Sequence, residues 1–163
     1  MIIVKNPGYL IYKNSKFRCS LGINGIKNKK KEGDGITPKG IFRLKKIYYR
    51  KDKVKNIVTK VKKIKITKDM GWCDDPKSKF YNKLIRLPSK FGHEKLYRKD
   101  DIYNLIIVLD YNMNPVSKNK GSAIFIHLAK KNYKPTQGCV GLKQNDLIKL
   151  IKMIKKNQKI KII

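Results

Sequence analysis

The chain has 163 residues, with 41 Lys and Arg against 11 Asp and Glu, for a formal charge of +30. Its 40% apolar content excludes wholesale disorder, and no run approaches the roughly 20 apolar residues that a membrane-spanning helix needs. A charge this large first suggests nucleic acid, but 36 of the basic residues are Lys and 5 are Arg, whereas base-edge readout favours the Arg fork. Ile (23) and Asn (13) are enriched alongside Lys, the pattern of drift toward A/T-rich codons. Much of the charge therefore reads as solvated surface, and nucleic acid is set aside as the primary partner. Met1–Val4 is too short for the apolar part of a secretory signal and runs into the turn Asn6-Pro7-Gly8, so no export signal is expected. Three cysteines, Cys19, Cys73 and Cys139, with no CxxC spacing predict neither a disulfide framework nor a zinc ribbon.

In chain order, the first half alternates short extended runs with turns, as an all-β domain does. Strands are predicted over Ile2–Val4, Tyr9–Lys13, Phe17–Ile23, Ile41–Arg50, Ile57–Thr67 and Leu84–Leu87. Asn24-Gly25 marks a turn, and Lys27–Gly35, with three consecutive lysines and two glycines, reads as a mobile solvated loop. His93-Glu94 beside Gly92 reads as a loop dipeptide, either exposed or supporting a site. Leu105–Leu109 and Ala123–Ile126 are unbroken apolar runs between turns, which predicts buried central strands. One helix follows, with Asn145 as N-cap, Asp146 in the first turn, Leu147, Ile148, Leu150, Ile151 and Ile154 on one face, and Lys152, Lys155 and Lys156 at its end. Lys159–Ile163 closes the chain as an alternating strand. Residues 1–163 read as a single domain with no repeat and no linker.

The chain has two histidines, and His127 follows directly on the apolar run Ile124-Phe125-Ile126. Twelve residues on lies Cys139, between Gly138 and Gly141 in Thr136-Gln137-Gly138-Cys139-Val140-Gly141-Leu142, where the backbone can approach a ligand closely. An imidazole that takes the thiol proton and holds an ion pair makes a strong nucleophile toward carbonyl carbon, and amides around Gly138 and Cys139 can face the resulting oxyanion. On spacing alone the pair reads equally well as a satisfied core histidine and a small buried thiol. A zinc site from Cys73, His93, His127 and Cys139 matches no metal-binding spacing. Asp74-Asp75 has no partner at a spacing that fits glycoside hydrolysis.

The stretch Gly121–Leu142, GSAIFIHLAKKNYKPTQGCVGL, closely resembles the catalytic signature of L,D-transpeptidases of the YkuD type: a His, a spacer, then Ser/Thr-x-Gly-Cys. Gly33-Asp34-Gly35-Ile36-Thr37-Pro38-Lys39-Gly40-Ile41-Phe42 is similar to the family's Gly-x-Thr-Pro-x-Gly-x-Phe segment. Trp72–Pro76 with Tyr81-Asn82, and Glu94 through Tyr103, resemble its compact single-domain branch.

The resemblance implies a mainly β fold, a β-sandwich or closed barrel of L,D-transpeptidase type with one α-helix in the C-terminal region. It implies Cys139 as nucleophile, and His127 as general base and then acid, oriented by the Leu128 carbonyl. Gly138 and Cys139 would supply oxyanion-hole N–H groups. Thr136, Gln137 and Gly141 would lie around the substrate, with Thr136 shaping the turn, and Trp72 reads as a core or groove-wall aromatic that could join the substrate-binding residues. No metal and no cofactor are implied. The implied reaction attacks the third residue of a peptidoglycan tetrapeptide stem, releases D-Ala and forms a 3→3 cross-link. Transfer to water instead would make an L,D-carboxypeptidase, and another Cys-dependent amide hydrolase would share the fold. A reading of a different class is a cationic protein that binds nucleic acid or an anionic polymer without chemistry. The implied partners are stem peptides and anionic wall polymers, the implied place is the periplasm or cell envelope, with the cytoplasm left open by the missing signal, and the expected state is a monomer. Two departures stand out: Gln137 where many members carry His, and Gly141 where many carry an Arg that could anchor a substrate carboxylate. Lys143 and Arg98 are the candidate replacements for that Arg.

Overall fold

In the computed structural model, which describes residues 1–163, short apolar runs bounded by turns become strands, as the composition predicts. They are β1 (Ile2–Lys5), β2 (Tyr9–Tyr12), β3 (Ser15–Ser20), β4 (Ile26–Lys27), β5 (Thr37–Pro38), β6 (Gly40–Tyr49), β7 (Lys63–Lys65), β8 (Met70–Cys73), β9 (Leu84–Arg86), β10 (His93–Lys95), β11 (Leu105–Leu109), β12 (Phe125–Leu128), β13 (Val140–Leu142) and, after helix α1 (Gln144–Met153), β14 (Lys159–Ile162). The fold is mainly β, with one α-helix. No helix is long and apolar enough to cross a membrane.

Ten residues long, β6 decides the architecture. Gly40–Arg43 pair with β14, and Leu44–Tyr49 pair with β11. The ladder β11-β12-β13-β3-β2-β1-β14-β6 therefore returns to β11 and closes into a barrel-like sheet, with β7 added alongside β6. Closure leaves these strands without the unpaired edges that invite aggregation. The unbroken apolar run of β11 has a direct cause. Leu105, Ile107 and Leu109 point into the barrel core, while Ile106 and Val108 point outward into a second core under the small sheet β10-β8-β9.

Leu147, Leu150, Ile151 and Ile154, on and just after α1, belong to the barrel core. The helix starts at Gln144 with Lys143 as N-cap and no side-chain cap hydrogen bond, so Asn145 lies inside the first turn and is not the cap. Burying four aliphatic side chains at about 1.5–3 kcal/mol each outweighs a missing cap worth about 1 kcal/mol, so packing sets the start. The helix ends at Met153, leaving Lys152 in its last turn and Lys155 and Lys156 beyond it.

Other boundaries differ from the sequence expectation for physical reasons. Of Ile57–Thr67 only Lys63–Lys65 is strand, because Ile57 and Val61 leave the ladder to fill the barrel core. The third strand ends at Ser20, and Leu21–Ile23 turn toward Thr136, which exchanges backbone hydrogen bonds with them. His93-Glu94 is strand, paired with Cys73 and Trp72. Lys27–Gly35 is an organised loop: Asp34 accepts from the Lys29 ammonium and from the amides of Lys30, Lys31 and Ile36. Burial alone would raise the Asp34 carboxyl, but these donors hold it down at about 2.

Candidate active site

Parallel pairing of β12 with β13 sets Ile126 beside Val140 and His127 beside Gly141, so one step earlier Cys139 lies opposite Phe125. Alternation along β12 puts Phe125 and His127 on one face, and the Phe125 amide donates to Cys139 Sγ at 3.3 Å. Cys139 and His127 thus reach the same cleft, a cavity of about 800 Å³. Cys139 is half-buried, and its Sγ–H donates to the Ala123 carbonyl at 3.1 Å.

The His127 ring is 5% exposed, and its Nδ1 lies 2.9 Å from the Leu128 carbonyl oxygen. A carbonyl only accepts, so Nδ1 carries the proton and Nε2 presents a lone pair. No protein group bonds Nε2, and it is not among the sealed, unpartnered atoms. The Tyr103 ring meets the imidazole edge-on at 5.5 Å and 72°. Burial pushes His127 down to about 4 and Cys139 up to about 12. The free protein therefore holds a neutral thiol and a neutral imidazole, and the ion pair expected from the sequence is absent before substrate binds, because desolvation disfavours both charged forms.

Thr136 Oγ1 donates to the Cys139 carbonyl at 2.6 Å and accepts from the Gly138 amide at 3.1 Å. Gly138 has φ +132°, and any side chain there would strike the Ile36 carbonyl, so the loop needs glycine. The Gly138 N–H is engaged by Thr136 Oγ1, so the oxyanion role expected for it requires that bond to be released. The amide with no protein acceptor is that of Cys139 itself.

Asn82 fixes the other side. Its Oδ1 accepts from Trp72 Nε1 and the Ala123 amide, each at 3.0 Å, and its Nδ2 donates to the carbonyls of Tyr111 and Asn112. Ala123 sits at φ +51°, a costly conformation for a residue with a β-carbon, and Asn82 holds it there with its carbonyl on the Cys139 thiol. Asn82→Ala removes four hydrogen bonds, two of them buried and two partly buried, so a loss of about 3 kcal/mol is expected by chemical denaturation. Acylation of Cys139 should slow about tenfold or more in the same variant as the thiol loses its position.

Among the other residues singled out by sequence, Thr136 and Gln137 line the cleft. Trp72 does not: it is buried behind the site, with its ring edge-on to Phe125 at 5.1 Å and to Tyr48 at 6.4 Å, and it supports Asn82. Gly141 is also outside the cleft. A β-carbon there would strike Ser20 Oγ and crowd Ala129, so a side chain at this position requires both neighbours to shift. Of the two candidate replacements Arg98 lines the cleft, whereas Lys143 lies over the Tyr133 ring. His93 lines the cleft and Cys73 is buried away from it, so the four possible zinc ligands are not brought together. Cys19 is buried in the barrel core.

Sequence reasoning missed Glu32 and Ala123, and it placed Asn82, Glu94 and Tyr103 in family-like segments without fixing a role for them. One signal was available: the chain contains only two glutamates, and both line this cleft.

The sequence model of the YkuD family, the L,D-transpeptidase catalytic domain, matches residues 1–162. No curated protein matches the sequence significantly. The crystal structure of Mycobacterium tuberculosis L,D-transpeptidase 1 is similar at a TM-score of 0.43 and 10% identity, over 99% of this chain. The chain spans 60% of the length of that structure.

Proposed function

The chain belongs to the L,D-transpeptidase catalytic-domain family of the YkuD type, and from that membership we propose that it is a peptidoglycan L,D-transpeptidase with Cys139 as nucleophile and His127 as its base. The observation that carries this reading is the fixed tautomer of His127: Nδ1–H is tied to Leu128, so Nε2 is free as a base in the cleft that Cys139 lines.

The thiol proton moves from its hydrogen bond with the Ala123 carbonyl to Nε2 as Sγ attacks the carbonyl carbon of the third stem residue. A C–S bond forms, the oxyanion is held by the Cys139 amide, and the Gly138 amide joins it only by releasing Thr136. Collapse breaks the C–N bond, and the imidazolium returns its proton to the departing D-alanine amine. An amine of a second stem then attacks the thioester, loses its proton to His127 and regenerates the thiol, leaving a 3→3 cross-link. Thr136 and Gln137 border the reacting carbonyl, and Arg98 serves as carboxylate anchor in place of the Arg that the chain lacks at Gly141. Residues 1–163 act as one catalytic domain, as a monomer, in the cell envelope. There a charge of +30 concentrates the protein at anionic wall polymers and steers it to stems.

The test is acylation by a carbapenem, which needs only the first half of the cycle, with the adduct located by peptide mass mapping. One adduct is expected, on Cys139. An adduct on Cys19 or Cys73 instead, or none after prolonged incubation, overturns the assignment.

A further inference from the structure

Glu32, Asp74 and Glu94 line the same cleft and come from three separate places, the loop after β4, the residue following β8, and β10. In a chain with 41 cationic side chains, all four ion pairs use other acids, Asp34, Asp52, Asp69 and Asp100. Three of the 11 carboxylates are therefore gathered in one cleft without an ion-pair partner, although Lys29, Lys95, Arg98 and Lys130 also line it and Arg98 acts on Glu94 at longer range. Tyr81 donates its hydroxyl to Glu32 at 2.5 Å and Tyr103 donates to Glu94, which fixes both side chains without cancelling their charge. Burial first, and then the neighbouring acids, push Asp74 and Glu94 up, a repulsion that a bound cation relieves. A separate observation also points to a ligand. Ser122 lines this cleft at 6% exposure, and its hydroxyl has no hydrogen-bond partner. Buried hydroxyls are nearly always satisfied, and this one, closed to solvent, would meet a bound group by rotating toward the cleft.

Resting on the transpeptidase reading above, we propose that Glu32, Asp74, Glu94 and Ser122 form a subsite for the ammonium group of the acyl donor, the distal amine of the diamino acid whose carbonyl Cys139 attacks. That amine keeps its proton and forms no bond during acylation, so holding it as a cation does not compete with the chemistry. The subsite also couples binding to activation. Burial and, next, the charge of Glu94 keep the Cys139 thiol protonated, and an ammonium on the wall offsets that charge. The thiol then yields its proton to His127 more readily when a cationic donor is present than when the cleft is empty.

The test reads binding without turnover, in the Cys139→Ala protein. Two synthetic tetrapeptide stems are used, identical except that the amine of the third residue is free in one and acetylated in the other. The free-amine peptide should bind about tenfold more tightly, and the ratio should fall to about one once Glu32→Gln and Asp74→Asn are added. Equal affinity for the two peptides, or a ratio that survives both substitutions, overturns the subsite. Should the combined variant fail to fold, the same ratio in each isosteric single variant decides. A clear ratio in a protein whose Cys139 is never acylated leaves the subsite standing and removes the transpeptidase reading. Acylation without a ratio does the reverse.

Discussion

Cys139→Ala protein should release no D-alanine from a tetrapeptide stem above background, a fall on the order of 10⁴-fold or more. The size follows from the chemistry, since no other thiol can reach the substrate: Cys19 is 4% exposed in the barrel core, and Cys73 is fully buried in β8. Folding should change little, because Cys139 is half-buried at the edge of the second core and alanine removes a single sulfur. Measuring D-alanine release and the thermal midpoint on one preparation separates the two effects. Turnover within tenfold of wild type in a folded Cys139→Ala protein would sink the nucleophile assignment.

His127→Ala should slow acylation by about 10²–10⁴-fold, the usual contribution of a positioned base, and should change the pH profile as well. With His127 at about 4 and Cys139 at about 12, thiol and imidazole are both in their reactive protonation states across neutral pH. Wild-type acylation should therefore be nearly flat from about pH 6 to 9. Without the imidazole, hydroxide must remove the thiol proton, and the rate should climb about tenfold per pH unit over that range. Intact-mass time courses with a carbapenem read both profiles. A flat profile in the variant would show that His127 is not the base.

The same depressed value has a sign for stability. Between pH 6.5, where an ordinary imidazole titrates, and about 4, the unfolded chain binds a proton that the folded protein refuses. Stability is fully present above 6.5 and falls as pH drops toward 4, by about 3 kcal/mol if all of the difference is expressed. His127→Gln, which cannot take up that proton, should flatten this slope in denaturant titrations.

How far the site was legible differs residue by residue. His127 and Cys139 stand out because they are rare residue types set among apolar and glycine neighbours, so the local words carry the signal. The roles of Thr136 and Gly138 were only half legible. A Ser/Thr three residues before a cysteine marks a turn, but that its hydroxyl would occupy the Gly138 amide depends on φ +132° at Gly138, which propensity does not specify. For Trp72 the sequence left core and groove wall both open, because a tryptophan in a motif suits either. Burial between Phe125 and Tyr48 was settled by how the β10-β8-β9 sheet packs on the barrel. Asn82 stood in a family-like segment but its role was not legible, since three of its four partners, Ala123, Tyr111 and Asn112, lie 29 to 41 positions away.

The charge of +30 with which the sequence opens is a property of composition, and the sequence determines it completely. The sequence also determines the mainly β class, the buried strand Leu105–Leu109 and the amphipathic helix, because hydrophobic periodicity and turn residues act over a few positions, and it places the next buried strand at Ala123–Ile126, two residues before the observed Phe125–Leu128. Only the tertiary structure decides that β6 forks to close the barrel, that Asn82 pins the carbonyl on the Cys139 thiol, and that the two glutamates face the cleft unpaired. Each of these joins residues far apart in the chain, and no periodicity within a window reports which distant partners will meet once the ring of strands has closed.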